Sequence, residues 1–339
     1  MTKGWQQMEH PYLMFLGDVQ DQLAAKTCDG IVHWRQEWCV GQFRLPGCKA
    51  DVKLDDMTLA EGRDMGARTL VIGVVNQGGY LPEHWTDSIV EALRLGYDVA
   101  SGLHAKLSDF PEITETAKKY GRQLFDVRHP SAKFETGTGL KRSGKRCLAV
   151  GTDCSVGKMY TPLAMEKEMI ARNMKVSFRA TGQTGIFIAG SGISVDAVVS
   201  DFVSGAVEQI CPDNDPDHWD LVEGQGSLFH PSFAGVTLGL THGAQPDALI
   251  LCHEPTRTHM RGLPNQPLPE LQTCLELNLE VARLTNANAK FTGVAINTAN
   301  LKIDKAEAYL AEVEQLLGLP TVDPVRTGVG RLVDSLLSI

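Results

Sequence analysis

Arg146-Cys147-Leu148-Ala149-Val150-Gly151-Thr152-Asp153-Cys154-Ser155-Val156-Gly157-Lys158-Met159 is the stretch on which the fold of this chain turns. An apolar run of strand character ends in a glycine loop and a lysine, and 159–172 continues with apolar residues at helical spacing. Strand, glycine loop and helix in that order are the setting in which such a loop holds phosphate. Gly151 and Gly157 let the backbone turn its N–H groups inward, the helix N-terminus adds partial positive charge, and Lys158 supplies a point charge. Every residue from Gly151 to Met159 is therefore a candidate phosphate contact: Gly151, Thr152, Asp153, Cys154, Ser155, Val156, Gly157, Lys158 and Met159.

On either side of this stretch, strand-like and helix-like patterns alternate, which implies parallel sheets. Upstream, 12–16, 69–75, 98–102 and 123–127 read as short buried strands, with helices at 82–95 and 111–120, each opened by a proline where the first turn tolerates it. Downstream, 146–150, 176–180, 221–223, 248–252 and 291–296 read as core strands, with helices at 159–172, 195–211, 270–284 and 305–317. The polar, glycine-containing stretch 136–145 separates the two series. The expected fold is α/β: an N-terminal Rossmann-like domain at 1–135, a linker at 136–145, and a P-loop NTPase-like domain with a mostly parallel sheet at 146–339.

Composition narrows the function. With 32 Lys+Arg against 41 Asp+Glu, and no basic stripe with interleaved aromatics, nucleic acid is not an expected partner. No apolar run approaches the roughly 20 residues that span a bilayer, and the first residues have no signal-peptide pattern, so the cytoplasm is the expected location. The 8 cysteines form no CxxC pair and read as reduced thiols. His253 and His259 lack a third ligand at metal spacing, and no metal is expected.

Met159 stands where such loops normally place a serine or threonine whose hydroxyl binds magnesium. A thioether is a poor ligand for that ion, and Thr161 lies about 200° around the helix. A phosphate-bearing ligand that needs no magnesium fits better, and coenzyme A is one. Two further loops open on the carboxyl edge of the same sheet. Ser177-Phe178-Arg179-Ala180-Thr181-Gly182-Gln183-Thr184-Gly185 ends the second strand, and Asp220-Leu221-Val222-Glu223-Gly224-Gln225-Gly226-Ser227 ends the third.

The loop, with five residues between its glycines, resembles the long phosphate loop of dethiobiotin synthetases, and Arg179 and Glu223 fall where those enzymes flank their reacting centre. The run Thr181 to Gly192, followed by Asp196-Ala197-Val198-Val199-Ser200-Asp201-Phe202, is more specific. With Gly102-Leu103-His104, Ser108-Asp109, His230-Pro231 and Thr241-His242-Gly243, it resembles a P-loop family whose characterised members are D-glutamate N-acetyltransferases of the DgcN type. The resemblance spans nearly the whole chain. It implies transfer of an acetyl group from acetyl-CoA to the amine of D-glutamate; likeness to P-loop proteins with this long loop implies a homodimer. An ATP-dependent ligase or kinase like dethiobiotin synthetase is the competing expectation.

Acetyl transfer to an amine needs a general base, oxyanion donors and cations for the carboxylates of the acceptor. His230 is a candidate base, with Glu223, Asp196 and Asp201 as competitors. Arg179, Arg257 and Arg261 are candidate carboxylate forks, the last two sharing a face if 253–261 is helical. Gln183 and Thr184 are expected to bind substrate, and Asn76, in the turn Asn76-Gln77-Gly78-Gly79, to line the acceptor pocket.

Overall fold

Tyr12–Gly17 (β1) is buried at every position, as a strand covered on both faces must be. It is the second strand of a five-stranded sheet, followed in the chain by Cys39–Arg44 (β2), Thr69–Ile72 (β3), Asp98–Ser101 (β4) and Leu124–Asp126 (β5). The spatial order is β2-β1-β3-β4-β5 and every pair is parallel. Helices Lys26–Arg35 (α1), Leu59–Asp64 (α2), Thr86–Arg94 (α3) and Pro111–Tyr120 (α4) make the crossovers. α4 starts on the expected proline and stops at Gly121, whose φ of 63° ends the helix in the left-handed region. The computed structural model describes residues 7–74, 79–130 and 133–339.

A second, six-stranded parallel sheet is built from Lys145–Gly151 (β6), Val176–Arg179 (β7), Trp219–Val222 (β8), Ala248–His253 (β9), Lys290–Ile296 (β12) and Thr321–Val322 (β13). Its order is β13-β12-β9-β6-β8-β7, which places β6 and the loop it feeds in the interior of the sheet. The short antiparallel ribbon His259–Met260 (β10) and Leu263–Pro267 (β11) follows β9. The helices are Tyr160–Ala171 (α5), Gln183–Ala189 (α6), Val203–Ile210 (α7), Ala234–Ala244 (α8), Leu271–Arg283 (α9), Ile303–Leu317 (α10) and Gly330–Leu336 (α11). Cys147, Ala149, Met165, Met169, Leu221, Ile250, Leu332 and Val333 belong to one buried cluster in this sheet and its helices. At the outer edge, the Glu314 carboxylate accepts from the Thr321 N–H at 3.2 Å and pairs with Arg331 at 2.6 Å. These side chains cover an edge strand that would otherwise offer its backbone to another chain.

The chain divides into two compact units, and the division is not a single cut. One unit is Met1–Ala132 together with Gly182–Ala197; the other is Lys133–Thr181 together with Val198–Ile339. Within the first, α6 buries Ile186, Phe187 and Ile188; Tyr12 Oη donates to the Phe187 carbonyl at 3.4 Å, and the Met8 N–H to the Gly190 carbonyl at 2.9 Å. A segment that its place in the chain assigns to the second domain thus finds cover for its apolar face in the first. Residues 133–144, which include most of the expected linker, carry neither helix nor strand, yet are anchored. Arg142 is buried and donates to the carbonyls of Glu208 at 3.0 Å and Cys211 at 2.6 Å. The helix expected over 195–211 is interrupted. Short 3-10 turns at Val195–Ala197 and Ser200–Phe202 precede α7, so Asp196 does not sit at the start of a long helix.

Candidate functional site

The loop from Gly151 to Lys158 has the backbone its sequence requires. Ser155 and Gly157 take positive φ values of 53° and 114°, and a side chain on Gly151 would meet Val156 Cγ2 at 2.7 Å. Gly224, from the acidic loop after β8, packs against the root of this loop. A Cβ there would lie 1.7 Å from the Ala149 carbonyl oxygen, so only glycine fits. Ser227 Oγ donates to the Thr152 carbonyl at 3.1 Å, and Thr152 Oγ1 pairs with His253 Nδ1 at 3.0 Å. Burial drives the His253 imidazole down to about 4, so it is neutral near pH 7. Lys158 is 5% exposed, its Nζ donates to the Asp153 carbonyl at 2.5 Å, and burial lowers its pKa.

Two arginines converge on the loop. Arg257 Nη1 donates to Asp153 Oδ2 at 2.7 Å and to the Cys154 carbonyl at 2.6 Å, and its Nη2 donates to the Ser155 carbonyl at 2.8 Å. The Arg261 N–H donates to Asp153 Oδ2 at 2.8 Å, and its guanidinium reaches Ser155 Oγ. They meet the loop from the turn and ribbon after β9; the helical face considered for 253–261 does not form. Lys158, Arg257 and Arg261 thus gather at 153–155 beside the fully buried Asp153 carboxylate, and Arg257 also pairs with the buried Glu254 at 3.3 Å. Neither Met159 nor Thr161 presents magnesium with a free hydroxyl. Met159 has none, and the buried Thr161 Oγ1 accepts from Cys252 Sγ at 3.5 Å.

The carboxylate of Asp153, the thiol of Cys154 and the ring of His230 lie within 4.8 Å of one another. As a metal seat this set fits poorly. Asp153 already accepts from Arg257, Arg261 and the Cys154 N–H, and burial pushes the Cys154 thiol up, away from the thiolate a metal needs. His230 is committed on both nitrogens: Nδ1 accepts from the Ser232 N–H at 3.2 Å and Nε2 pairs with the Arg261 carbonyl at 3.2 Å. An accepting Nδ1 puts the ring proton on Nε2, so His230 has no free lone pair for a base and instead braces Arg261.

Two other candidates carry structural bonds. Arg179 Nε donates to Asp220 Oδ1 at 2.7 Å. Glu223 is 4% exposed; its Oε2 accepts from the Thr181 N–H at 2.9 Å, and its carbonyl accepts from Thr181 Oγ1 at 2.7 Å. Glu223 thereby pins the last residue of the second unit before the chain crosses at Gly182. Gln183, Thr184 and Asp196 belong to the first unit, whereas Arg179, Glu223, His230, Arg257 and Arg261 belong to the second. Asn76 lies outside the described residues.

The architecture has known counterparts. Residues 133–333 match the family model described as "Domain of unknown function (DUF1611_C) P-loop domain", and 43–130 match its partner, the DUF1611_N Rossmann-like domain. The chain belongs to the DUF1611 family. A crystal structure of a DUF1611 family protein from Anabaena variabilis superposes with a TM-score of 0.83 at 29% identity, over 98% of this chain and 100% of that one. A D-glutamate N-acetyltransferase from Tritonibacter scottomollicae is 56% identical over 98% of this chain and 100% of its own length. A D-glutamate N-acetyltransferase from Pseudoalteromonas sp is 48% identical over 97% of this chain and 99% of its own.

Proposed function

We propose that this protein is an N-acetyltransferase that moves an acetyl group from acetyl-CoA to the amino group of D-glutamate. In this proposal the loop Gly151–Met159, with Arg257 and Arg261, holds the phosphates of coenzyme A. The full-length likeness to two D-glutamate N-acetyltransferases supports the activity. The observation that carries the use of the loop is its chemistry: three cationic side chains converge on 153–155, and the position after Lys158, where a magnesium-binding hydroxyl normally stands, is Met159. Such a cradle suits a ligand bound through its phosphates and cleaved elsewhere.

Acetyl-CoA supplies the activated thioester: the amine nitrogen bonds to the acetyl carbon as the C–S bond breaks, a carboxylate of this chain takes the amine's proton, and coenzyme A leaves as the thiol once that proton is returned to its sulfur. His230 keeps Arg261 against the loop, and Glu223 holds Thr181. Asp196 carries an exposed carboxylate whose ion pair, to Arg128, is a loose 4.0 Å, and we assign it the proton. Eight free thiols favour a reducing compartment, which supports the cytoplasm, and no helix among the described residues is long and apolar enough to cross a membrane. Small molecules are the proposed partners, and a homodimer is the proposed assembly.

Calorimetric titration of acetyl-CoA in EDTA tests the cradle. Binding without a divalent ion, weakened at least about tenfold by Lys158→Ala, is the expected result, since a charge-assisted phosphate contact is lost. Binding that appears only with magnesium, or is unchanged in the variant, contradicts it.

A further inference from the structure

Of the three arginines expected to fork a substrate carboxylate, Arg257 and Arg261 lie on the phosphate loop, where the proposed function assigns them to coenzyme A, and Arg179 is paired with Asp220. The first unit holds a fourth. Arg128 follows β5 at the carboxyl edge of the first parallel sheet, the edge on which open α/β sheets bind ligands. Its Nε donates to the Gly102 carbonyl at 3.3 Å, and its side chain remains 20% exposed. Its Nη1 stands 4.0 Å from Asp196 Oδ2, the outer limit of an ion pair, so no carboxylate among the described residues closely fills the fork.

Gly102, the residue after β4, joins Arg128 to a second feature. A methyl group on Gly102 would stand 2.8 Å from Gln183 Oε1 and 3.1 Å from Phe187 Cε2. That Gln183 oxygen is buried and has no hydrogen-bond donor among the described residues. A buried acceptor without a donor is rare and calls for a partner that arrives from outside. Around Gly102, then, the first unit presents a guanidinium fork, an exposed carboxylate and an unfilled acceptor. Those are the groups an amino acid zwitterion requires: a cation for its carboxylate, and an anion and an oxygen for its ammonium.

We infer that Arg128, Gln183 and Asp196 form the acceptor site, with Arg128 taking a carboxylate of the amino acid and Gln183 Oε1 and Asp196 taking its ammonium. This rests on the proposed reaction for the identity of the amino acid, D-glutamate, but the site is testable by binding alone. Gln183 and Asp196 reach the site because 182–197 belongs to the first unit. The requirement for glycine at 102 follows too, since a side chain there would displace Gln183.

The test is calorimetric binding of D-glutamate and of glutarate, which has both carboxylates but no amine, to the full-length protein. Arg128→Ala is expected to weaken both ligands at least about tenfold, while acetyl-CoA affinity stays within about twofold. Gln183→Leu, close in shape, is expected to weaken D-glutamate at least about fivefold and leave glutarate within about twofold, because glutarate has no amine to lose. Gly102→Ala should reproduce the Gln183 pattern. Arg128→Ala binding D-glutamate like wild type, Gln183→Leu weakening both ligands equally, or wild type binding neither ligand would each overturn the site. A wrong reaction shows itself differently: D-glutamate binds, Arg128→Ala loosens it, and no acetylated product forms.

Discussion

Replacing Arg257 with alanine probes the donor side most sharply. The change deletes the contacts to Asp153 Oδ2 and to the Cys154 and Ser155 carbonyls, at 2.7, 2.6 and 2.8 Å, and the ion pair to the buried Glu254 at 3.3 Å. It leaves the fully buried Asp153 carboxylate with backbone N–H donors from Cys154 at 2.7 Å and Arg261 at 2.8 Å. Removing one partner of a buried pair costs ~3–5 kcal/mol. The two surviving donors, and water admitted beside a side chain that was already 22% exposed, set the expected loss near the lower end, about 3 kcal/mol. At roughly 2–4 °C per kcal/mol for a unit of this size, the melting temperature should fall by about 6–12 °C in scanning calorimetry. In an Asp153→Asn background the same substitution should cost less than it does in wild type, because only Glu254, paired with Arg257 at 3.3 Å, then loses a charged partner. A fall of less than about 2 °C in the single variant would mean that the pair behaves as a solvated surface bridge, and the account of a loop braced by Arg257 would fail.

Three other outcomes follow from the same geometry. Gly224→Ala drives a methyl into the Ala149 carbonyl, which cannot yield as a flexible side chain would; a loss of about 3 kcal/mol or more, read as a lower urea midpoint, is expected. His253 titrates near 6.5 unfolded and about 4 folded, so between those values the unfolded state binds the extra proton and stability falls as pH falls. The urea midpoint should therefore drop more steeply from pH 6.5 to 4.5 in wild type than in His253→Asn, and parallel curves would refute the assignment. Met159→Thr restores a hydroxyl but not the rest of a metal shell, because Asp153 stays bound to Arg257; phosphate release from ATP and magnesium should stay at background, and turnover would show the shell to be intact.

The parts of this molecule legible in sequence are those set by local chemistry. Strand, glycine loop, lysine and helix occupy consecutive positions in 146–172, and the structure returns them as β6, loop and α5. α4 is legible at both ends, from Pro111 and Gly121. β2 is not, because an edge strand whose outer positions are half-buried has no continuous apolar run to display. α8 is hidden by glycines at 235, 239 and 243, the last two of which let α7 pack close. What depends on distant partners is absent from any local pattern. That α6 belongs to the first unit follows from which residues cover Phe187, and that Arg257 serves the phosphate loop follows from contacts across about a hundred residues. Arg128, in the turn after β5, sits in no motif; its bond to Gly102 brings it to the same edge as Gln183.

Mass-spectrometric detection of N-acetylglutamate, after incubating the purified protein with acetyl-CoA and D- or L-glutamate in EDTA without ATP, bears most directly on the central claim. Product from the D-isomer, formed without metal or nucleotide, is the predicted result. No product from either isomer, followed by turnover once ATP and magnesium are supplied, would contradict it and make the phosphate loop the seat of a ligase or kinase reaction despite Met159.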